Sequence, residues 1–248
     1  MPALQLSSPA LLRQRISRQL QRLQRKLAKS RPHADDIHDL RVTCKQLRSW
    51  LHLLRHHGAD KHWQPIDKAL QALARAVAAA RDRVVLKDTL VQLQTGTRSP
   101  ARRTACQQVL AALPSLPAAR NELRHSSLPG TFALVLLDGT AAPPKVLHQG
   151  LKRTQVRCRR LARAAFNGEQ RDSERLHRLR RWVKYLAWQL ELVTDPMPAS
   201  ERWRKQLVRL GHLLGQLHDL AELQKHKGSQ FDPLVVDTFA KILQEEQN

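Results

Sequence analysis

Two stretches of the chain, residues 34–57 and 173–196, carry the same pattern of apolar residues 139 positions apart. The apolar residues recur at steps of three and four, which is the spacing of one buried stripe on an α-helix. The shared stripe therefore predicts an internal repeat and limits the fold to two similar helical halves. The aligned residues are Ile37, Leu40, Cys44, Leu47, Leu51 and Leu54, and Leu176, Leu179, Val183, Leu186, Leu190 and Val193.

A second series of residues repeats beside this stripe. At about 100° per residue it forms one face, roughly 110° around the helix from the apolar stripe, and its members recur about every 5 Å. Arginine offers a planar fork of donors that fits phosphate oxygens, lysine a compact charge, and histidine a charge that depends on pH. The face therefore predicts a site for an anion with repeated phosphate groups. Its aligned residues are His38, Arg41 and Lys45, and His177, Arg180 and Lys184.

The rest of the sequence predicts further helices and almost no strand, because no long segment alternates apolar and polar residues with a period of two. The predicted fold is all-α, with two similar bundles of about four helices each. The first bundle covers residues 1–128, a linker covers 129–144, and the second bundle covers 145–248. The predicted helices cover residues 9–30, 34–57, 62–94, 100–112, 144–166, 173–196 and 199–227, and a last helix begins at Asp232.

The charge of the chain indicates a polyanionic partner. Its 43 Lys and Arg residues against 21 Asp and Glu residues give a formal net charge of +22, and such an excess opposes compaction unless a polyanion neutralises it. The three cysteines (Cys44, Cys106 and Cys158) are odd in number and far apart, so we expect reduced side chains in a cytoplasmic protein. No apolar run approaches the ~20 residues of a membrane span, and the N-terminus does not resemble a signal peptide.

The helix that precedes each repeat adds further basic residues to the predicted anion site. These residues also recur at steps of three and four, on one face of each helix. Two more arginines adjoin the repeated faces themselves. The candidates on the preceding helices are Arg18, Arg22 and Arg25 in the first half and Arg153, Arg157 and Arg160 in the second, and the adjoining arginines are Arg48 and Arg181.

Other interpretations of the same residues stay open. The basic faces could be solvated surface, or they could bind nucleic acid, although aromatic residues make up only 4% of the chain and few are placed to stack bases. Asp82 and Asp219 align at an offset of 137, and a buried structural role is the simpler account of both. The His38-Asp39 and His218-Asp219 pairs could belong to a metal-dependent phosphohydrolase, but Arg178 replaces the aspartate in the second repeat. We therefore expect no metal site and no cofactor.

Four motifs in order resemble the CHAD family, the conserved histidine α-helical domain. They are Ile37 to Val42 with Lys45 to Arg48, Ala80-Arg81-Asp82, Leu176 to Arg180 with Lys184, and Leu217 to Leu220. The resemblance covers residues 9 to about 228. It differs from the family pattern at Ala187, which stands where Arg48 predicts a basic residue, and at Arg83, where an apolar residue is more usual.

The resemblance implies a pseudo-symmetric pair of four-helix bundles around a basic central channel that binds inorganic polyphosphate. CHAD proteins are associated with polyphosphate granules and resemble binding modules more than enzymes. The resemblance assigns the repeated His, Arg and Lys residues, with Arg48, to the channel, and more weakly the arginines of the preceding helices. The Glu-x-Glu-x-Lys motif of the triphosphate-tunnel domains often fused to this family is absent from the chain.

Overall fold

A computed structural model describes residues 6–29, 34–54, 63–112, 136–138, 141–167, 172–195, 198–225, 227–229, 233 and 237, and for residues 34 and 79–85 it describes the backbone alone. Its named helices are α1 (Pro9–Leu27), α2 (Ala34–Leu54), α3 (Trp63–Gly96), α4 (Pro100–Ala112), α5 (Pro144–Phe166), α6 (Ser173–Val193) and α7 (Pro198–Lys225). The described residues contain no β-strand, and Leu6 and Thr194 form an isolated bridge. The predicted all-α class is confirmed.

The helices belong to two compact units. Helices α1 to α4 lie in one unit, within Pro9–Ala142, and helices α5 to α7 lie in the other, together with residues 6–8. Most of the linker predicted over residues 129–144, and nearly all of the helix predicted from Asp232, lie outside the described residues. The pseudo-symmetric pairing of two four-helix bundles therefore stays a prediction.

The repeated stripe forms the core of each unit. All twelve aligned apolar residues of α2 and α6 are buried, none more than 3% exposed, because the three-and-four spacing keeps them on one side of each helix. Helix α2 contacts α1 and α3, and α6 contacts α5 and α7. Cys44 and Cys158 are free thiols within these cores, and burial raises the pKa of each to about 12. Neither thiol is therefore reactive at neutral pH.

Helix α3 follows the predicted pattern only along its first part. Leu70, Leu73 and Val77 are fully buried, but Val91, which lies on the same side of the helix at 100° per residue, is 41% exposed. The reason is length, since the 34 residues of α3 span about 51 Å and the 21 residues of α2 only about 32 Å. The C-terminal part of α3 contacts α4 instead. Since no residue of α4 is buried, this contact leaves side chains at the end of α3 exposed.

Capping and end contacts join the helices of the second unit. The Asp172 carboxylate accepts a hydrogen bond of 2.9 Å from the backbone N–H of Glu174 and so caps α6. Arg175 donates to the carbonyl of Ala164 at the end of α5, and Ser173 donates to Glu222 near the end of α7. The start of α6 is thus attached to both neighbouring helices.

The N-terminal segment also packs in this second unit, a contact that the sequence pattern does not indicate. The buried Ser7 donates its backbone N–H to the carbonyl of Val193 at 2.8 Å, and its hydroxyl to the carboxylate of Asp195 at 2.8 Å. The bridge between Leu6 and Thr194 lies beside these bonds. Residues 6–8 therefore close the C-terminal end of α6.

Helix α1 is joined to α2 by ion pairs as well as by apolar contact. The Lys26 ammonium lies 3.0 Å from Asp36 and 2.8 Å from Asp39, Lys29 lies 2.8 Å from Asp36, and Arg22 lies 2.8 Å from Asp39. Hydrogen bonds from Lys26 and then Arg22 hold the pKa of Asp39 below its usual value, and the bond to Asp39 raises the pKa of Lys26. Asp36 in the first turn of α2 and Asp39 in the second thus supply counter-charges for α1.

We expect Leu40→Ala and Leu179→Ala, at matching positions of the two stripes, each to lower the free energy of unfolding by about 2 to 5 kcal/mol, since each leaves a cavity at a fully packed site. Urea unfolding measures the effect. Leu93→Ala is the control, because Leu93 is 56% exposed and its truncation should change stability by less than about 0.5 kcal/mol. Equal effects at buried and exposed leucines would contradict the assignment of the core.

We expect Asp39→Asn to lower the free energy of unfolding at pH 7 by about 0.5 to 1 kcal/mol, the value of a partly exposed ion pair. A carboxylate whose pKa is lowered by folding stabilises the protein above its unfolded pKa of about 3.8 and loses that contribution as pH falls through the folded pKa. The difference between Asp39→Asn and the native protein should therefore narrow as the pH falls below about 4 in urea titrations.

The matched control for this substitution is Asp35→Asn. Asp35 lies in the first turn of α2 and is exposed, so its replacement removes a carboxylate at which the helix dipole acts at least as strongly as at Asp39, without removing the pair with Lys26. An equal loss of stability in both variants would show that the dipole, and not the ion pair, explains the effect of Asp39.

Candidate functional site

The His-Arg-Lys face of α6 lies along α7, where two glycines leave room for it. The Arg180 guanidinium lies over Gly215, so close that a methyl group on Gly215 would approach Arg180 Nη2 to 2.8 Å. The aliphatic part of Lys184 lies over Gly211, where a methyl group would be 3.5 Å from Lys184 Cγ. The two helices thus place basic side chains on one side and the buried, side-chain-free backbone of two glycines on the other.

The histidine of this face meets a second histidine on α7. The ring centroids of His177 and His218 are 5.3 Å apart, with the rings tilted at 54°. Along α6 the face runs from His177 to Lys184, and along α7 the opposing residues run from His218 back to Gly211. The predicted face of α6 is therefore completed by a row of three residues from the antiparallel helix α7.

Arg180 is the least satisfied group of this arrangement. Its side chain is half-buried, and its Nε is buried without a hydrogen-bond partner among the described residues. A guanidinium carries five N–H donors and no acceptor, and buried donors are nearly always paired in folded proteins. The geometry therefore leaves Arg180 able to bind an acceptor such as a phosphate oxygen.

The aspartate beside His218 does not have the buried structural role predicted from the sequence. The side chain of Asp219 is 64% exposed, and its carboxylate lies 3.0 Å from Nδ1 of His218. Its solvent exposure follows from its place on α7, one residue away from the row that faces α6. The side chain of the aligned Asp82 lies outside the described residues.

The first copy of the face, on α2, has different neighbours. His38 is exposed and Arg41 and Lys45 are half-buried. Arg48 forms a bidentate pair with Asp67 of α3, with Nε 2.8 Å and Nη2 3.3 Å from the two carboxylate oxygens. The predicted ligand Arg48 thus also joins α2 to α3, whereas its aligned residue Ala187 is buried in the core.

The arginines of the preceding helices are only partly available. In the first unit Arg22 is paired with Asp39, while Arg18 and Arg25 are exposed. In the second unit the Arg157 guanidinium lies 4.3 Å from the centre of the Trp182 ring, a cation–π contact that positions it beside α6. Arg153 is half-buried, and Arg160 and Arg181 are exposed.

Sequence reasoning missed Gly211, Gly215 and His218 as parts of the site. A signal for them exists, because they occupy one face of α7 and align at an offset of 137 with Ala74, Ala78 and Arg81 of α3. Both halves therefore place two small residues and one basic residue at the same spacing, which allows a close approach to the neighbouring helix. The pattern is weak because small residues are common in helices.

Two further properties of the described residues bear on chemistry. No group of three or more His, Cys, Asp or Glu side chains among them is placed to hold a metal ion. No described helix has the length and apolarity needed to cross a membrane.

Comparison with protein families gives one match that covers most of the chain. The model of the CHAD domain matches residues 10–227 of the 248. Comparison with curated proteins and with solved structures gives no significant match. The match contains both copies of the His-Arg-Lys face and the row on α7, and the chain therefore belongs to the CHAD domain family.

Proposed function

We propose that the chain binds inorganic polyphosphate through the His-Arg-Lys faces of α6 and α2, without hydrolysing it. Membership of the CHAD family, which is associated with polyphosphate binding, supports the ligand. The net charge of +22 supports a polyanion over a single small anion. The association with polyphosphate granules in the cytoplasm and the basic channel that the family implies are parts of the same proposal.

The observation that carries the proposal is the state of Arg180. Its guanidinium is half-buried, pressed on Gly215 and lacks a partner for its Nε within the described part of the chain. Holding an arginine in this way costs free energy unless an anion binds to it. A phosphate group satisfies several guanidinium donors at once and neutralises the charge.

The neighbours of Arg180 fit a chain of phosphates better than one phosphate. His177 and Lys184 lie one turn away on either side, so that the three basic side chains span about 10 Å of the axis of α6. His218 adds a donor from α7 at the His177 end. An extended polyphosphate lying along α6 would meet a cationic group at each turn.

The two alternative functions are nucleic-acid binding and polyphosphate hydrolysis. The first is tested by which polyanion binds, and the second by whether phosphate is released. A nucleic acid would use the same phosphate contacts, and it is the second candidate because of the charge alone. A metal-dependent phosphohydrolase built on His218 and Asp219 would release phosphate from polyphosphate in the presence of a divalent metal. Binding without release supports the proposal, and release would replace it.

We expect Gly215→Ala to weaken polyphosphate binding roughly tenfold, because the new methyl group displaces the Arg180 guanidinium and one charge-assisted hydrogen bond contributes about 1.5 kcal/mol. The measurement is a titration with polyphosphate by calorimetry. Gly211→Ala is the matched control, since its methyl group makes only ordinary contact with Lys184. Both substitutions favour the helix by up to about 1 kcal/mol, so both proteins should fold.

The substitution Arg180→Gln tests directly whether the Arg180 guanidinium binds polyphosphate. It should weaken binding at least as much as Gly215→Ala, because it removes the guanidinium altogether. If Gly215→Ala, Gly211→Ala and Arg180→Gln all bind polyphosphate as the native protein does, Arg180 is not a ligand and the site on α6 lies elsewhere.

We expect long-chain polyphosphate to compete better than single- or double-stranded DNA at about 0.15 M salt, where long-range attraction is already screened. The logarithm of the affinity should fall linearly with the logarithm of the salt concentration, as counterions are released. The preference should disappear in a folded variant with His38→Ala, Arg41→Ala, His177→Ala and Arg180→Ala. Equal or better binding of DNA would assign the basic faces to nucleic acid.

A further inference from the structure

Helix α5 carries an unusual excess of positive charge. Its 23 residues include seven Lys and Arg residues and no Asp or Glu. Helix α1 has a similar composition, but Asp36 and Asp39 of α2 supply counter-charges to it. On the side of α5 opposite its buried residues, no exposed Lys or Arg side chain is paired with a carboxylate of a described residue. The protein therefore does not neutralise the positive charge on that side.

Four of the seven cations form a face of their own, here named the outer cation face. They lie within about 40° of one another and about 120° to 160° from the buried stripe of α5, at 100° per residue. They are also about 100° from the arginine face predicted from the sequence. All four are exposed, and none makes a hydrogen bond or an ion pair to a described residue. The outer cation face consists of Lys145, Lys152, Arg159 and Arg163.

This arrangement differs from an ordinary solvated helix surface. Such surfaces usually alternate charges of both signs, because opposite charges one turn apart attract each other and like charges repel. Arg159 and Arg163 are one turn apart and repel each other, and no acidic residue of α5 offsets them. A helix that keeps this repulsion without an internal partner is suited to an external polyanion.

The shape of the face selects the kind of polyanion. Its cations lie in a straight row over 19 residues, a length of about 27 Å, which a flexible chain of phosphates can follow throughout. The backbone of a nucleic-acid duplex curves away from a straight row after a short contact. Between the cations lie Val156, which is 55% exposed, and Gln149, so the middle of the row offers no aromatic platform for bases.

We propose that the outer cation face of α5 is a second polyphosphate-binding surface, separate from the site on α6 and α7. The identity of the polyanion rests on the function proposed above. A protein with two such surfaces can hold two polyphosphate chains, or two distant segments of one chain, and so cross-links polyphosphate into large assemblies.

The test measures two quantities, the affinity for a short polyphosphate and the light scattering produced with long-chain polyphosphate. The outer variant replaces Lys145, Lys152, Arg159 and Arg163 by Gln, which keeps the helix propensity. We expect it to bind a polyphosphate of about ten units within threefold of the native affinity, because the site on α6 is intact. Light scattering after addition of long-chain polyphosphate should be at least tenfold weaker than for the native protein, because one of the two bridging surfaces is lost.

A charge-matched control separates the face from net charge. Arg75→Gln, Lys87→Gln, Arg98→Gln and Arg102→Gln remove the same number of cations from exposed positions of the first unit, and this control should assemble with polyphosphate as the native protein does. Equal loss of scattering in the control would mean that net charge drives assembly, and would overturn the proposal. Unchanged scattering of the outer variant, or no scattering of the native protein, would also overturn it.

Two further comparisons test the outer cation face independently of the function proposed for the site on α6. Failure of Arg180→Gln to weaken binding of the short polyphosphate would reject the site on α6, whereas the comparison of the outer variant with its control would still judge the outer face. A duplex DNA of about 30 base pairs tests the other polyanion. Loss of duplex binding in the outer variant, with polyphosphate assembly unchanged, would assign the face to nucleic acid and overturn the proposal.

Discussion

The contact between Arg180 and the bare backbone of Gly215 is the interaction on which the site depends. A helix interior normally disfavours glycine by about 0.5 to 1 kcal/mol relative to alanine. Two glycines one turn apart on α7 therefore cost stability that the fold offsets elsewhere, in the buried stripe of α6. What they provide is space in which the Arg180 guanidinium and the aliphatic part of Lys184 lie against α7.

Much of the fold could be predicted from the sequence, because it follows from local periodicity. Apolar residues spaced by three and four have only one side of a helix to occupy, and so Leu40 and Leu179 are buried as predicted. The exposed Val91 and Asp219 were not foreseen, since exposure there depends on where a neighbouring helix ends and which residues face it. Periodicity within one helix contains no information about the length or register of the next.

The candidate site could likewise be predicted from the sequence only in part. The cationic face of α6 is visible as a repeat, but Gly211, Gly215 and His218 belong to it only through the register of α6 against α7. The pair of Arg48 with Asp67 likewise required the packing of α2 on α3. The two repeats also differ in charge, with Asp39 in the first copy and Arg178 in the second, so equal stripes do not imply equal electrostatic potentials.

The hydrogen bonds of Ser7 have a consequence for how the chain connects its two units. Because residues 6–8 belong with α6 while α1 belongs to the other unit, the polypeptide crosses between the units twice, once after Ser8 and once after Ala142. A chain cut between residues 112 and 136 would therefore leave the first unit still tethered, through Ser7, to the end of α6. Two crossings of the chain, and not a single linker, therefore connect the two units.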